Sequence, residues 1–347
     1  MTPRICIVPE YPLSLMTGGV QVQAMATFMA LRDRGGNVEP FEWHSTLPPA
    51  DLYHFVGLPP YMASLVSLVR RKNIPYVCTL LCGGKRSLPT LLVARLRHLV
   101  NSALPGRQEY REAVMGADSV ITITPADTVV VRRVFGLPSD RIIVIENGVD
   151  ERFRTATPLL WHHRYGDRPF ILCVGHIQSR KNQLFLLQVA NMVRLPVVLI
   201  GSVMSGEGRY ASHVESEVRT NTLYGGMWLR ELSVDDPLLA SAYAACRAYV
   251  LLSHYETQPL SVLEAMAAGK PILLGKAAYS QEYPFAGLST TSRTRMSLAA
   301  RDLVNLWDHG VESTLPAEFS WGHVADKLSV VYASALGRNG GRRKGEP

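Results

Sequence analysis

The sequence predicts an α/β protein with two doubly wound domains, each a parallel sheet covered by helices on both faces. Three observations lead to this prediction. Short β-branched and apolar runs alternate with stretches of helical periodicity. The alternation stops at residues 150–169 and then starts again. The chain of 347 residues is long enough for two ordinary domains, and 47% of its residues are apolar, which suffices for two cores.

Composition narrows the classes of protein that the chain can form. Its formal net charge of +7 favours anionic partners such as nucleotides, phosphates, acidic membrane surfaces and nucleic acid. Its five cysteines are scattered and form no CxxC pair, so we expect reduced thiols in a cytoplasmic protein. No apolar run approaches the roughly 20 residues that a helix needs to cross a bilayer.

The first half opens with the run RICIVP, which predicts a buried strand. The glycine pair that begins GGVQVQAMATFMALRDRGG predicts a turn, and the rest of that stretch predicts a helix. The run MASLVSLVRRKN predicts an amphipathic helix. Strands are predicted in this half at residues 4–9, 37–43, 51–57, 74–81, 117–124 and 140–150.

The second half repeats the alternation after the linker at 150–169. Its strands are predicted at residues 170–175, 196–201, 221–226, 248–253 and 271–275. Ligands bind doubly wound sheets beyond the carboxyl ends of the strands, so we expect the site in a cleft between the domains. The predicted parts are an N-terminal domain at 1–150, a C-terminal domain at 151–318, a helix at 319–336 that can cross back to the first domain, and a disordered basic tail at 337–347.

The stretch SHYETQPLSVLEAMAAGKP follows a predicted strand and contains a helix of its own. Thr257 suits the N-cap, Pro259 suits an early helical position, and Gly269 suits the end of the helix. The helix should therefore begin at the mouth of the cleft. Its first amides would point into the cleft, where they favour an anion such as a phosphate.

Two glutamates, Glu256 and Glu264, flank the start of this helix eight positions apart. Carboxylates so placed can accept hydrogen bonds from vicinal hydroxyls of a sugar or a ribose at two separate points. A structural interpretation stays open beside this one. Ser261 and Glu264 fit a capping box, in which Glu264 only satisfies amides of its own helix, and Glu256 fits a solvated loop residue.

The run LLSHYETQPLSVLEAMAAGKPIL closely resembles the E-x7-E segment of family 4 retaining glycosyltransferases, which have the GT-B fold. Members of that family read Ser-x-x-Glu-Gly-x-Pro-Leu-Ser-x-Leu-Glu-Ala-Met-Ala-x-Gly-Lys-Pro, and this chain keeps nearly all of it, with Thr257 in place of the glycine. The run VGHIQSRKNQ resembles the family's phosphate-binding strand end. There Lys181 matches the lysine, His176 replaces the usual arginine, and Arg180 can supply the missing charge. The resemblance extends over residues 4–336.

The resemblance implies two Rossmann-like domains facing a central cleft, and a role for each matching residue. It implies that Glu264 holds the ribose hydroxyls of the donor and that Glu256 contacts the donor sugar. Arg180 and Lys181 are implied to bind the diphosphate, where positive charge stabilises the leaving nucleotide. The other donor-binding residues implied are Gly18 and Gly19 of the first glycine loop, His176, and the backbone around Gln258, Pro259, Leu260 and Ser261.

Two departures from the family pattern stand out. The family's fourth strand ends in a histidine that faces the donor sugar, whereas this chain has Leu81 and Cys82 there. Cys82 at that place and His54 on a neighbouring strand are the candidates for contact with the donor sugar. For His54, a core histidine is the alternative. The segment after Gly275 keeps Glu282 but little else of the family's glycine-rich turn and strand.

The resemblance implies a metal-independent, hexosyltransferase-like enzyme without a cofactor. It would transfer a sugar from a nucleotide-diphosphate sugar to a glycan, lipid-linked or small-molecule acceptor, with retention, in cell-envelope or surface polysaccharide synthesis. The helical patterns at 62–72 and 89–107 carry basic residues that suit the anionic inner face of a membrane, and an ordinary solvated basic face is the alternative. The expected location is therefore cytoplasmic, with peripheral membrane binding left open, as is the oligomeric state.

Two other functions remain as alternatives on the same scaffold. A sugar-nucleotide epimerase would use the same donor without an acceptor. A non-catalytic protein would bind a nucleotide or partner a true transferase, which the missing strand-four histidine favours. No GxGxxG follows the first strand, which disfavours a nicotinamide dehydrogenase, and no nucleic-acid-binding module is recognised.

Overall fold

A computed structural model describes residues 2–11, 18–43, 49–83, 90, 93, 95 and 107–343. The chain forms two compact units. One comprises Met1–Gly148 with Glu318–Pro347, and the other comprises Val149–Ala317. Each unit contains one six-stranded, fully parallel sheet with helices packed on it. The prediction of an α/β protein with two doubly wound sheets is confirmed.

The first sheet is built from the apolar runs of the first half, in the order β2-β1-β3-β4-β5-β6. Because β1 lies between β2 and β3, the order reverses at the β1–β3 pair. Its strands are β1 Ile5–Pro9, β2 Val38–Pro40, β3 Leu52–Val56, β4 Tyr76–Leu80, β5 Ser119–Thr122 and β6 Ile142–Val144. Fully described helices of this half are α1 Gly19–Asp33, α2 Ala63–Arg71, α3 Arg107–Met115 and α4 Pro125–Phe135.

The second sheet has the order β12-β11-β10-β7-β8-β9, which reverses between β7 and β10. Its central strands are buried on both faces, as expected where helices cover both sides of a parallel sheet. Its strands are β7 Ile171–Val174, β8 Val197–Ile200, β9 Met227–Leu229, β10 Ala248–Leu251, β11 Ile272–Gly275 and β12 Ser289–Thr291. Its helices are α5 Arg152–Thr155, α6 Leu159–Tyr165, α7 Gln183–Val193, α8 Gly208–Asn221, α9 Pro237–Ala245, α10 Leu260–Ala267 and α11 Met296–His309.

The strand predicted at 221–226 is wrong. Residues 222–224 form a 3₁₀ turn, and the strand begins only at Met227. The buried Asn221 explains the difference, because its side chain accepts a hydrogen bond from the Val197 amide at 2.7 Å and donates to the Leu195 carbonyl at 3.0 Å. A side chain at Gly226 would collide with Asn221, so a glycine follows the turn. The short, polar β12 was not predicted.

The last helix, α12 Trp321–Arg343, belongs to the first unit. It buries Val324, Leu328 and Tyr332 in the same apolar cluster as residues of β1. The sequence predicts a disordered tail from residue 337, whereas the structure continues the helix to Arg343. Arg338 donates a hydrogen bond to the Asp118 carbonyl at 3.0 Å, which holds this turn of the helix on the unit.

His54 lies in the core of the first unit. Its Nδ1 is 2.7 Å from the Tyr332 hydroxyl, and its Nε2 is 2.8 Å from the Thr79 hydroxyl. The ring is only 2% exposed, and burial lowers the pKa of His54 to about 3. Because both ring nitrogens have hydrogen-bond partners within the protein, the structure favours the core-histidine alternative over the predicted contact of His54 with a donor sugar.

We expect the buried neutral ring of His54 to make the fold acid-sensitive. In the unfolded chain a histidine titrates near pH ~6.5, so below that pH the unfolded state binds a proton that the folded state does not. The free energy of unfolding should then fall by up to about 1.4 kcal/mol per pH unit between pH ~6.5 and the folded pKa. Urea titrations at pH 7, 6 and 5 measure this slope. His54→Gln, which keeps hydrogen-bonding groups but cannot titrate, should show a shallower slope, and an equal slope would contradict the assignment.

All five cysteines are free, which agrees with the expected reduced thiols. Within the parts of the chain that the structure describes, no helix combines the length and the apolarity that crossing a membrane requires. Most of the basic apolar segment predicted at 89–107 lies outside the described residues.

Candidate functional site

The predicted site residues of the second unit gather where the strand order reverses. β7 and β10 are neighbours in the sheet, and the loops after them begin at the same edge because the strands are parallel. Ligands of doubly wound sheets bind at such a switch point, beyond the carboxyl ends of the strands. The loop after β7 carries Arg180 and Lys181, and the loop after β10 carries Glu256.

Two glycines allow the chain to pack tightly at this edge. Gly175 and Gly201 follow β7 and β8 with φ of +138° and +145°, a conformation that residues with a Cβ rarely adopt. A side chain at Gly201 would collide with the Gly175 carbonyl. A Cβ at Gly175 would stand 3.2 Å from both Cε and Nζ of Lys181. The lysine side chain therefore lies directly against the glycine backbone.

The two cations are held by a short 3₁₀ turn at Ser179–Lys181, which ends at Asn182 in the left-handed conformation with φ of +59°. This turn is bound to the loop after β10. The Arg180 carbonyl accepts a hydrogen bond from the His254 amide at 2.8 Å, and the Arg180 guanidinium donates to the Tyr255 carbonyl at 2.7 Å. The guanidinium carbon also lies 5.3 Å from the centre of the Tyr255 ring.

Glu256 bridges the two cations. Its Oε2 is 2.7 Å from the Arg180 guanidinium, its Oε1 is 3.1 Å from the Lys181 ammonium, and the Ser253 hydroxyl donates to Oε1 at 2.9 Å. The Glu256 side chain is only 10% exposed. Burial raises the pKa of its carboxyl, but the charges and hydrogen bonds of Lys181 and Arg180 outweigh burial and bring the pKa below its usual range.

These contacts give Glu256 a role that the sequence did not predict. Its carboxylate orients Arg180 and Lys181 and balances one of their two charges, which leaves one net positive charge at the strand ends. A carboxylate has about four lone-pair sites, so three protein donors still leave capacity for a hydroxyl. The predicted contact of Glu256 with a donor sugar stays a prediction. The alternative of a solvated loop residue does not fit its burial.

Glu264 lies on α10 and is half-buried. Its Oε2 accepts a hydrogen bond from the buried Tyr243 hydroxyl at 2.7 Å, and its other oxygen has no hydrogen-bonding partner among the described residues. Burial raises the pKa of the Glu264 carboxyl, and the Tyr243 hydrogen bond and the charges of Arg152 and Lys181 offset part of that rise. One carboxylate oxygen therefore remains able to accept a hydroxyl.

The start of α10 differs from its prediction. Pro259, rather than Thr257, is the N-cap, because the proline carbonyl accepts the Val262 and Leu263 amides at 3.1 and 3.3 Å. Ser261 therefore lies inside the helix, and Glu264 bonds Tyr243 instead of a first-turn amide, so the capping-box alternative is wrong. The Leu260 and Ser261 amides have no acceptor among the residues that the structure describes.

Other predicted donor-binding residues lie around this edge of the second sheet. His176, after β7, has its Nδ1 3.0 Å from the Ser202 hydroxyl, and its carbonyl accepts a hydrogen bond from Gln183 at 2.8 Å. Gln258 is 5% exposed and precedes the cap of α10. His254, in the same loop as Glu256, has a pKa lowered by burial and by the charge of Arg293. This edge of the second sheet thus carries the cations of Arg180 and Lys181 as well as open amides, meaning the Leu260 and Ser261 amides that have no acceptor among the described residues.

The first unit contains the predicted site residues Gly18, Gly19 and Cys82. Gly18 is the N-cap of α1 with an extended backbone, and Gly19 is its first residue. A Cβ at Gly19 would meet no described atom within 4 Å. Cys82 follows β4, is half-buried, and packs against the apolar core of this unit. Residues 12–17 of the first loop lie outside the described residues.

Sequence reasoning missed three residues that shape the cluster in the second unit: Tyr243, Ser253 and Arg293. Ser253 stands at the serine of the Ser-x-x-Glu pattern, which could have signalled its bond to Glu256. Tyr243 and Arg293 come from distant parts of the chain and carry no local signal. Among the described residues there is no group of three or more His, Cys, Asp or Glu side chains that could hold a metal ion.

Two doubly wound parallel sheets, each in its own unit, are the GT-B architecture. Residues 162–283 match the family described as glycosyl transferases group 1. The Escherichia coli O-antigen chain mannosyltransferase B is 26% identical, over 64% of this chain and 62% of the relative. A D-inositol 3-phosphate glycosyltransferase of Geodermatophilus obscurus is 28% identical, over 74% and 63%. The chain therefore spans about three fifths of the length of these curated relatives.

Solved structures share the fold over nearly the whole chain. The sucrose-phosphate synthase of Thermosynechococcus elongatus has a TM-score of 0.73 at 17% identity and covers 97% of this chain and 100% of its own. The Anabaena protein HepE, solved with UDP and glucose, has a TM-score of 0.70 at 15% identity and covers 96% and 100%. HepE has also been solved with UDP-glucose. At these identities the likeness is one of fold.

Proposed function

We propose that the protein is a glycosyltransferase that moves a hexosyl group from a nucleotide-diphosphate sugar to a hydroxyl of an acceptor, with retention of the anomeric configuration and without a metal. One observation carries the proposal. Arg180 and Lys181 are fixed by Glu256 at the switch point of the second sheet, next to the open amides at the start of α10. Fixed cations beside open amides suit a diphosphate.

The donor would bind with its diphosphate on this cationic edge. Arg180 and Lys181 would contact the phosphate oxygens, and the Leu260 and Ser261 amides would donate to the same anion. The free oxygen of Glu264 would accept a hydrogen bond from a ribose hydroxyl. Glu256 would accept one from the donor sugar while it keeps the cations in place.

The chemical step breaks the bond between the anomeric carbon and the diphosphate oxygen, and forms a bond from that carbon to the acceptor oxygen. The acceptor hydroxyl loses its proton to the departing phosphate oxygen, so the step needs no separate base. Negative charge grows on the diphosphate as the bond breaks. Lys181 and Arg180 would stabilise that charge more strongly in the transition state than in the ground state, which lowers the barrier.

The relatives support the donor class and suggest the pathway. HepE is a structural neighbour that was solved with UDP-glucose, and the curated relative from Escherichia coli is named for O-antigen chain synthesis. We therefore propose a glycan or lipid-linked acceptor in cell-surface polysaccharide synthesis, at the cytoplasmic face of a membrane.

A panel of UDP-, GDP- and ADP-sugars in a thermal-shift assay tests the donor site. The matching donor should raise the melting temperature, since a ligand at 100 times its Kd stabilises by about 2.7 kcal/mol. Sodium diphosphate and free sugars are the controls, and each should shift the temperature less than the donor. No shift with any sugar nucleotide would contradict the proposal.

Product analysis with the donor that binds separates the transferase from its two rivals. Release of the nucleoside diphosphate only when acceptor is present supports transfer. An isomerised donor without acceptor would indicate an epimerase. Donor binding without either product, across glycan and lipid-linked acceptors, would favour the non-catalytic protein that the Leu81 and Cys82 departure suggests.

A further inference from the structure

Arg293 contacts the loop of Glu256 from a third segment of the chain, separate from the turn of Arg180. It follows β12, at the edge of the second sheet, and is half-buried. Its Nη1 donates a hydrogen bond to the His254 carbonyl at 2.6 Å and lies 3.4 Å from the His254 Nδ1. A charged donor makes a stronger hydrogen bond to a carbonyl than a neutral one does.

This contact closes a ring of three loops. The Arg180 turn binds the backbone of His254 and Tyr255, and Arg293 binds the His254 carbonyl. Asn182, directly after Lys181, completes the ring because its Nδ2 donates to the Arg293 carbonyl at 3.2 Å. The loop after β7, the loop after β10 and the segment after β12 are therefore linked pairwise.

Gly275, the last residue of β11, makes room for the Arg293 side chain. A Cβ at this position would stand 2.8 Å from Cγ and 2.9 Å from Cδ of Arg293, and 3.0 Å from the backbone carbon of Leu252. Real Cβ atoms essentially never approach other atoms so closely. The aliphatic stem of Arg293 can cross β11 only because residue 275 has no side chain.

We propose that Arg293 is a positioning residue of the donor site, which holds the loop of Glu256 against the turn of Arg180 and Lys181. The effect of Arg293 on catalysis rests on the proposed function. Its effect on the position of the loop does not. Glu256 fixes both cations, so a loop that shifts at His254 also moves the charges that face the diphosphate. A misplacement of about 1 Å at a reacting centre can cost up to 10²-fold in rate.

Hydrogen exchange tests the effect on the loop without any assay of activity. In Arg293→Ala, the His254 amide, which donates to the Arg180 carbonyl, should exchange roughly tenfold to a hundredfold faster, the scale of one lost hydrogen bond to a charged group. The strand β10 and the helix α10 should keep their protection. Arg295→Ala is the matched control, because Arg295 is an exposed neighbour whose side chain makes no hydrogen bond or ion pair with the described residues.

A kinetic comparison tests the effect on the site. Arg293→Ala should lower kcat by roughly 10- to 100-fold and also weaken binding of the nucleoside diphosphate, whose phosphates meet the displaced cations, while binding of the nucleoside without phosphates stays unchanged. Arg293→Lys keeps the charge but has no planar fork, so it should restore only part of the rate. Arg295→Ala should behave as the wild type.

A double-mutant cycle with Gly275→Ala shows whether the two residues act together. The added methyl should lower kcat in the wild type by displacing the Arg293 stem, and should cost much less in the Arg293→Ala background. Equal costs in both backgrounds would overturn the proposal, as would unchanged exchange of the His254 amide. If no donor supports transfer, the proposed function fails, whereas faster exchange would still establish that Arg293 holds the loop.

Discussion

Replacing Lys181 with alanine should lower turnover by about 10²-fold or more, because one positive charge that faces the leaving diphosphate is lost. Its ammonium lies 3.1 Å from the Glu256 carboxylate, and its stem lies against Gly175. Few other groups could take its place, since Arg180 already binds the Tyr255 carbonyl and the same carboxylate. Steady-state kinetics with the matching donor measures the change.

The Lys181→Ala variant should also respond differently to pH. In the wild type the pKa of Glu256 lies below its usual range, so the carboxylate stays ionised in mild acid. Without Lys181 this pKa should rise, and the residual rate should begin to fall at a higher pH than in the wild type. The ionised Glu256 carboxylate contributes fully to the free energy of unfolding above about 4.3, the pKa of a glutamate in the unfolded chain. That contribution is lost as the pH falls through the lower pKa of Glu256 in the folded protein.

Two controls separate lost charge stabilisation from lost structure. Lys327→Ala removes a lysine–glutamate pair of similar length in the first unit, where Lys327 lies 2.9 Å from Glu146, and it should keep its activity. Lys181→Ala itself should melt cooperatively and still bind the nucleoside that lacks phosphates. Turnover within threefold of the wild type in a folded Lys181→Ala protein would refute the assignment of Lys181.

The sequence predicted the sheets well because the strands of a covered parallel sheet are continuous apolar runs. The strand prediction failed at residues 221–226, where the apolar runs end. There the side-chain hydrogen bonds of Asn221 determine the backbone conformation. It failed at β12 for the opposite reason, since three polar residues without an apolar run join the edge of the sheet by pairing with β11.

The candidate site shows the same limit. Glu256, Arg180 and Lys181 lie in loops that follow predicted strands, so topology alone brings them to one edge. Tyr243 and Arg293 could not be predicted, because their bonds to Glu264 and His254 depend on how separate helices and loops pack. His54 could not be placed either, since only the return of α12 brings Tyr332 to its ring.

Glu264→Ala should weaken the binding of the nucleoside diphosphate by about 10- to 100-fold, the range expected for one lost hydrogen bond to a charged group. The reason lies in the two oxygens of its carboxylate. One is held by Tyr243 at 2.7 Å, and the other has no partner among the described residues and can accept a ribose hydroxyl. Isothermal titration with the nucleoside diphosphate measures the loss. A deoxyribose analogue should bind the variant and the wild type with similar affinity.

Comparison with neighbouring variants shows whether the charge of Glu264 or its orientation matters. Glu264→Gln keeps the volume but not the charge, and should recover part of the affinity. Tyr243→Phe leaves the carboxylate in place but frees its rotation, and removes a hydrogen bond that lowers the pKa of Glu264. That pKa should then rise further. As the pH is lowered, nucleotide binding by Tyr243→Phe should therefore begin to weaken at a higher pH than binding by the wild type does. Glu312→Ala, at an exposed glutamate of the same unit, is the control. If Glu264→Ala binds the nucleotide as tightly as Glu312→Ala does, Glu264 does not hold the ribose.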